Sequence, residues 1–433
     1  MLRDRPPSRG AWEAGREPRH DASTSGAVLP WRRARSAKNS SLRPTETCYL
    51  AAAKSQRHAM SSPASTTQEA KDDAYFPALD GLRLLCCGSV VIGHSFVGHP
   101  IAAIASRLSG MGVYVFFSLS GFLITTLLLR ELSKRSRVDL GAFYMRRVLR
   151  IFPVYYSALF LSLFLLRFAP DRVNRAFGPT LGEFQLGKTA WTHGLFLANW
   201  FDLKLPTTLD VLWSVSVEEQ FYVMFPVTFM ASARKYGALR SIVIGMVICF
   251  AAKIYLSLTD PGAIYRNTFA TGDHLLLGAL FAQILHVHPE KTRAALRRVG
   301  TLGEVLVFVL IIGSCFPDAK HFARVEHFLD SMASALVSTA AVALVAVRAG
   351  AISRFLMNSF VRKLGTLTYA GYVFHMYAVG VAWFGVAVLT KDVNVAAPLR
   401  ALIALPLTFV LAWLCRITFE ERILALKARW ART

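Results

Sequence analysis

From Phe76 onward the chain is a succession of ten apolar runs, near 84–103, 111–129, 151–169, 213–231, 241–258, 273–288, 301–316, 329–347, 365–389 and 399–418. Most approach the roughly 20 residues that carry a helix across the hydrocarbon core of a bilayer. Inside lipid a segment must satisfy its own backbone N–H and C=O groups, and runs of this length do so as helices. The expected fold is therefore all-α: a polytopic membrane helix bundle of about ten transmembrane helices. A further run, "WTHGLFLANWF" at 191–201, is too short to cross and reads as a re-entrant or interfacial piece. Composition agrees, with 54% apolar and 18% charged residues in 433, where soluble domains average about 25% charged.

The formal net charge of +22 would suit a nucleic-acid ligand, but its placement points elsewhere. With the N-terminus inside, the cytoplasmic loops 130–150, 231–240, 287–300 and 348–364 hold 7, 3, 4 and 4 Lys+Arg. The external loops hold 1, 5, 1, 2 and 1, the 5 being spread over residues 167–212. This alternation follows the positive-inside rule and places both termini in the cytoplasm. No zinc or helix-turn-helix spacing accompanies the charge, so nucleic acid is not an expected partner. The six cysteines, Cys48, Cys86, Cys87, Cys249, Cys315 and Cys415, have no paired metal spacing, and no metal is expected.

Residues 1–74 are rich in Arg, Ser, Ala and Pro without periodicity and are expected to be a disordered basic tail. Met60 opens "MSSPASTTQEAKDD", an ordinary polar N-terminus, so translation beginning there, with 1–59 not translated, is an open expectation. Residues 75–420 form the expected membrane domain, with all the activity in it, and 421–433 a basic cytoplasmic tail.

The first span, "LDGLRLLCCGSVVIGHSF" (79–96), carries Arg83 and, eleven positions later, His94. Eleven residues are about three helical turns and about 16 Å, so the two share a face. Arg83 suits the cytoplasmic interface and His94 a point near mid-membrane, where an ionisable group faces protein or a wet cavity. Imidazole exchanges protons near neutrality. Glu218 and Glu219 interrupt another apolar span, after Trp213 and Ser216. Adjacent helical residues diverge by about 100°, so the two carboxylates serve different neighbours. Arg146, Arg147 and Arg150 precede Pro153, which suits the first turn of the third span. Guanidinium forks there suit phosphate, the plain alternative being topology charge.

Together these segments resemble the acyltransferase-3 family of membrane O-acyltransferases. "DGLR" followed ten residues later by His is similar to that family's Arg-x10-His signature. "GVYVFFSLSGFLI" (112–124), "FYMRRVLRIFPVYY" (143–156) and "LWSVSVEEQFYVMFP" (212–226) resemble its next three motifs, and "DHLLLGALFA" (273–282) and "TYAGYVFHMY" (368–377) its later Gly and His motifs. Two departures stand out: Tyr114 occupies a position often acidic in the family, and Gly272 one where Arg often precedes the Asp matched by Asp273. Asp273 thus lacks its usual neighbour, with Arg266 only a distant substitute.

The resemblance implies transfer of an acyl group, acetyl above all, from acyl-CoA to a hydroxyl of a saccharide, either a glycan or a lipid-linked acceptor, with no bound cofactor. It implies a multi-pass protein among membrane lipids, in the cytoplasmic membrane if the cell is bacterial. His94 is then the expected base, Arg83 and Glu219 its catalytic partners, and Arg147, Arg150 and Arg146 the donor's phosphate ligands. Glu218, Ser120, Trp213, Asp273 and His375 are further candidates, Ser120 with Gly121 allowing close helix approach. A transporter or flippase using His94 and the glutamates as a proton relay is the competing reading. A haem protein with His94 and His375 as axial ligands is a third.

Overall fold

The computed structural model describes residues 75–168, 186–201, 207–233, 237–316, 323–423 and 425. The basic tail 1–74 with its alternative start, residues 169–185 and 202–206 of the loop expected outside, and 426–433 of the C-terminal tail lie outside the described residues.

Among the described residues the regular structure is helical. In chain order come α1 (Pro77–Ser95), α2 (Ala102–Arg135), α3 (Leu140–Phe168), α4 (Leu186–Gly194), α5 (Trp213–Ala233), α6 (Ala238–Thr259), α7 (Thr268–Val287), α8 (Pro289–Gly313), α9 (Ala323–Ala346), α10 (Ala351–Leu356), α11 (Ser359–Gly365), α12 (Thr368–Leu389) and α13 (Val393–Cys415). Each of the ten apolar runs lies largely in one of the long helices. Among the described residues seven stretches, built on α2, α3, α6, α7, α9, α12 and α13, are long and apolar enough to cross a membrane. The other three long helices carry charged or polar groups: Arg83 and His94 in α1, the two glutamates in α5, and a basic first half in α8. The run at 191–201 forms α4 and a 3-10 turn at Ala198–Trp200.

Local chemistry sets several helix ends. Asn267 accepts from the backbone N–H groups of Phe269 and Ala270 and starts α7, as Asp392 starts α13 through Asn394 N; such side chains replace missing intrahelical partners. The buried Glu304 of α8 accepts from the N–H groups of Gly350, Ile352 and Ser353 at 2.8, 2.8 and 3.2 Å, tying its carboxylate to the start of α10.

Two spans sit earlier than the apolar runs suggest. The first helix runs 77–95 rather than 84–103, because Pro77 opens it and Gly98, at φ 82, turns the chain before α2. His94 therefore occupies the last turn of α1. The third helix begins at Leu140 and runs through Pro153, which is not in its first turn. Asp139 provides the earlier start, accepting from Ala142 N at 2.9 Å.

Helix α2 lies at the centre, and its buried face meets α7 at very short range. A Cβ on Gly121 would stand 1.8 Å from the Leu275 carbonyl oxygen, and one on Gly278 2.0 Å from that of Ser118. Only glycine permits such backbone approach, the device that membrane helices use to pack closely. On the outside, α6 exposes Val243, Ile244, Val247, Ile248, Ile254 and Leu258. A continuous exposed apolar face of this kind is stable against lipid and not against water.

Candidate functional site

A cavity of about 440 Å³ opens among α1, α2, α3, α5 and α12. Arg83, Ser120, Arg147, Arg150, Glu218 and Glu219, from four different helices, all line it.

The glutamates point inward because α5 is clamped. Gln220 donates to Phe196 O at 2.7 Å and Asn199 Oδ1 at 2.8 Å, and accepts from Thr268 Oγ1 at 2.5 Å and Trp200 Nε1 at 3.0 Å. With the amide facing α7 and the 196–200 turn, the residues on either side of α5 turn elsewhere. Glu218 accepts from Ser120 Oγ at 2.7 Å, and Ser120 accepts from Tyr222 Oη at 3.0 Å. Ser120 thus links α2 to α5 through polar contacts, while the close approach expected of it belongs to Gly121. Glu219 is buried at 7% exposure, and its Oε1 has no hydrogen-bond partner among the described residues. A buried carboxylate with an unpartnered oxygen on a cavity wall is costly unless something else occupies the cavity.

The cations are held differently from one another. Arg83 Nη1 meets Asp80 Oδ1 at 2.6 Å, one turn back on α1. Asp80 also accepts from Tyr75. Arg147 lies over the rings of Tyr222 and Phe143, with Cζ 5.1 and 5.7 Å from their centroids. Arg150 is exposed and reaches the cavity from the basic end of α3. Arg146 turns away to Glu131 of α2, at 3.5 Å, and does not line the cavity.

His94 and His375 pair with each other outside this cavity, their ring centroids 5.1 Å apart. His94 Nδ1 faces Val90 O at 2.9 Å and His375 Nδ1 faces Tyr372 O at 2.5 Å. A carbonyl only accepts, so Nδ1 carries a proton in each ring, which leaves Nε2 as the nitrogen that can exchange one. His375 Nε2 is buried without a partner among the described residues. Tyr372 stands next to both: it lines the cavity, and its ring lies 5.5 Å from that of His375. Arg83 and His94 thus share α1, but only Arg83 lines the cavity.

Trp213 packs between Phe117 and Tyr265, beneath the Arg266 guanidinium. Arg266 pairs bidentately with Asp210 at 2.6 and 2.7 Å, and Asp273 is held by other groups. Its cation is Lys253 of α6, fully buried with Nζ at 2.5 Å, and its other oxygen accepts from the N–H and Nδ1 of His274 at 2.9 Å each. Ser95, beside His94, donates to Val91 O.

The sequence reading passed over Asp80, Tyr222, Tyr369 and Tyr372 on the cavity wall and Lys253 beside Asp273. Three had a signal. Asp80 stands three residues before Arg83, Tyr222 four after Glu218, and Lys253 is the one charge in the run 241–258.

A bundle with lipid-facing apolar helices around a charged cavity defines an integral multi-pass membrane protein. Residues 76–417 match the acyltransferase domain, and the chain belongs to the acyltransferase-3 family. It is similar to the peptidoglycan O-acetyltransferase OatA of Listeria monocytogenes, 27% identical over 78% of this chain and 54% of that protein. The putative peptidoglycan O-acetyltransferase YrhL of Bacillus subtilis is 27% identical over 70% of this chain and 48% of its own length. The O-acetyltransferase OatA of Staphylococcus aureus is 30% identical over 48% and 35%. The chain thus spans about half the length, or less, of the curated relatives it matches. No solved structure matches it.

Proposed function

We propose that this protein is a membrane O-acetyltransferase that moves an acetyl group from acetyl-CoA to a hydroxyl of a glycan, with residues 75–420 as the transferring domain. The observation that carries the reading is one cavity in which three arginines, the half-buried Glu218 and the buried Glu219 meet, one aromatic ring away from a histidine pair. The names of the relatives supply the acceptor class, a cell-wall glycan. The ten-span arrangement, with both termini cytoplasmic and a cytoplasmic tail at 421–433, puts the arginine end of the cavity on the side where acyl-CoA is made.

The donor enters with its phosphates on Arg147 and Arg150 and its thioester arm toward Tyr372. Arg83, fixed by Asp80, adds a third positive charge and turns the cavity toward anions. The acceptor hydroxyl approaches from the His94 side. His94 Nε2 takes the hydroxyl proton as the oxygen attacks the thioester carbonyl carbon. The C–S bond breaks, the thiolate of coenzyme A leaves, and the proton passes from His94 to the thiolate. General-base assistance of this kind contributes roughly 10²–10⁴-fold. His375 holds the ring of His94 in place, and Glu219 presents a carboxylate that balances the arginines between turnovers.

Purified protein in detergent, given radiolabelled acetyl-CoA and peptidoglycan fragments, should release free CoA thiol and place an equal amount of label on the acceptor. Binding of the acetylated glycan with no thiol release would instead support a transporter.

A further inference from the structure

A second cavity, of about 510 Å³, opens beside the first and shares Tyr75 and Thr366 with it. Its chemistry differs. Arg362, Lys363 and Arg416 line it against the lone carboxylate of Glu421, with the Trp413 indole, half exposed, on the same wall. Arg416 is braced, Nε on Glu421 Oε1 and Nη1 on Thr366 Oγ1, both at 2.9 Å. Arg362 donates from Nη2 to Tyr75 Oη at 3.2 Å and lies over the Tyr75 ring, while its Nε is buried and lacks a partner among the described residues. Lys363 is exposed and forms no ion pair among the described residues. Tyr75 also donates to Asp80, which holds Arg83, so one chain of contacts runs from the second cavity into the first.

A concave surface with three cations, one acid and an accessible indole is suited to a phosphate ester carried beside a flat aromatic base: guanidinium and ammonium take the phosphate and indole stacks the base. We infer that the second cavity seats the adenosine 3′-phosphate end of the acyl-CoA donor, an assignment that rests on the donor proposed above. The donor then lies across both cavities. Its 3′-phosphate sits on Lys363, Arg362 and Arg416, its pyrophosphate meets Arg150, and its thioester arm passes Tyr75 into the first cavity. An anionic lipid headgroup offers the same phosphate chemistry without the base, and the test separates the two.

Binding of acetyl-CoA and of acetyl-(3′-dephospho)-CoA is measured on the full chain in phosphatidylcholine nanodiscs, then in discs containing phosphatidylglycerol. The unaltered protein should prefer acetyl-CoA by about tenfold, the worth of one charge-assisted phosphate contact. Adenosine 3′,5′-bisphosphate should compete. In Lys363→Gln/Arg416→Gln the preference should vanish, through weaker acetyl-CoA binding with dephospho binding unchanged. Lys363→Gln alone, at an exposed side chain, should lose part of the preference and carries the test if the double variant fails to fold. Equal affinity for the two donors in the unaltered protein, or equal weakening of both in the variants, would overturn the assignment while leaving the donor reading intact. Unchanged acetyl-CoA binding with a lost response to phosphatidylglycerol would give the cavity to lipid. No acetyl-CoA binding by the unaltered protein would remove the donor reading, and the assignment with it.

Discussion

Substituting Lys253→Met tests how α6, α7 and α9 are held together. The Lys253 side chain is fully buried, its ammonium lies 2.5 Å from Asp273 Oδ2, and the Met332 sulfur lies 4.0 Å away. Methionine keeps an unbranched apolar chain and removes only the charge. Deleting one partner of a buried ion pair costs about 3–5 kcal/mol, because the survivor stays desolvated and uncompensated. Asp273 retains two donors from His274, and that ring is in turn held by Ser334 at 3.1 Å. The loss should therefore fall near the lower limit, about 3 kcal/mol, or roughly a hundredfold in the folding equilibrium. Adding Asp273→Asn removes the stranded charge and should restore much of the loss, since apolar or neutral replacements of whole buried pairs are often close to neutral. Tryptophan fluorescence during unfolding of the micellar protein with SDS reports both variants. Lys253→Met as stable as the unaltered protein, or a double variant no better than the single one, would refute the reasoning.

Gly121→Ala should reduce the yield of monodisperse protein, since its Cβ would collide with the Leu275 carbonyl and overpacking costs about 1–3 kcal/mol; size-exclusion profiles and unfolding midpoints check it. Arg147→Ala and Arg150→Ala should each raise the apparent KM for acetyl-CoA by about tenfold with acceptor KM little changed, the expected loss of one charge-assisted contact; normal kinetics with reduced insertion would leave both as topology charges. His94→Ala should abolish acetyl transfer while expression and membrane insertion persist, and turnover like that of the unaltered protein would exclude His94 as the base.

The helices were legible in the sequence because the requirement that creates them, a long run without charge, is local. Helix ends were less so. The displacement of the first span rests on Gly98 adopting φ 82, and the early start of α3 on one aspartate cap, both outvoted by hydropathy. Of the site, the glutamates were visible as charges out of place in an apolar run, and the arginines as charges at the edge of one. Their partners were not, since pairing across helices depends on rotation about each axis. Nothing in "SVSVEEQFY" says that Gln220 is the clamp that turns Glu218 toward Ser120. Likewise Gly272 concealed the cation of Asp273, because its replacement lies on another helix twenty positions earlier. That His94 stands outside the arginine cavity, against His375 and so one ring beyond Tyr372, was not legible either, since it too depends on how helices face one another.

The central claim is that the cavity between α1, α2, α3, α5 and α12 receives the acyl arm of the donor. An acyl-CoA analogue with a photoactivatable group on its acyl chain, irradiated with the full chain in nanodiscs and followed by peptide mass spectrometry, tests it directly. The account predicts attachment near Ser120, Ser214–Tyr222 and Tyr369–Tyr372, suppressed by excess acetyl-CoA. Suppressible attachment confined to other helices, such as α6 or α8, or no suppressible attachment at all, would contradict it.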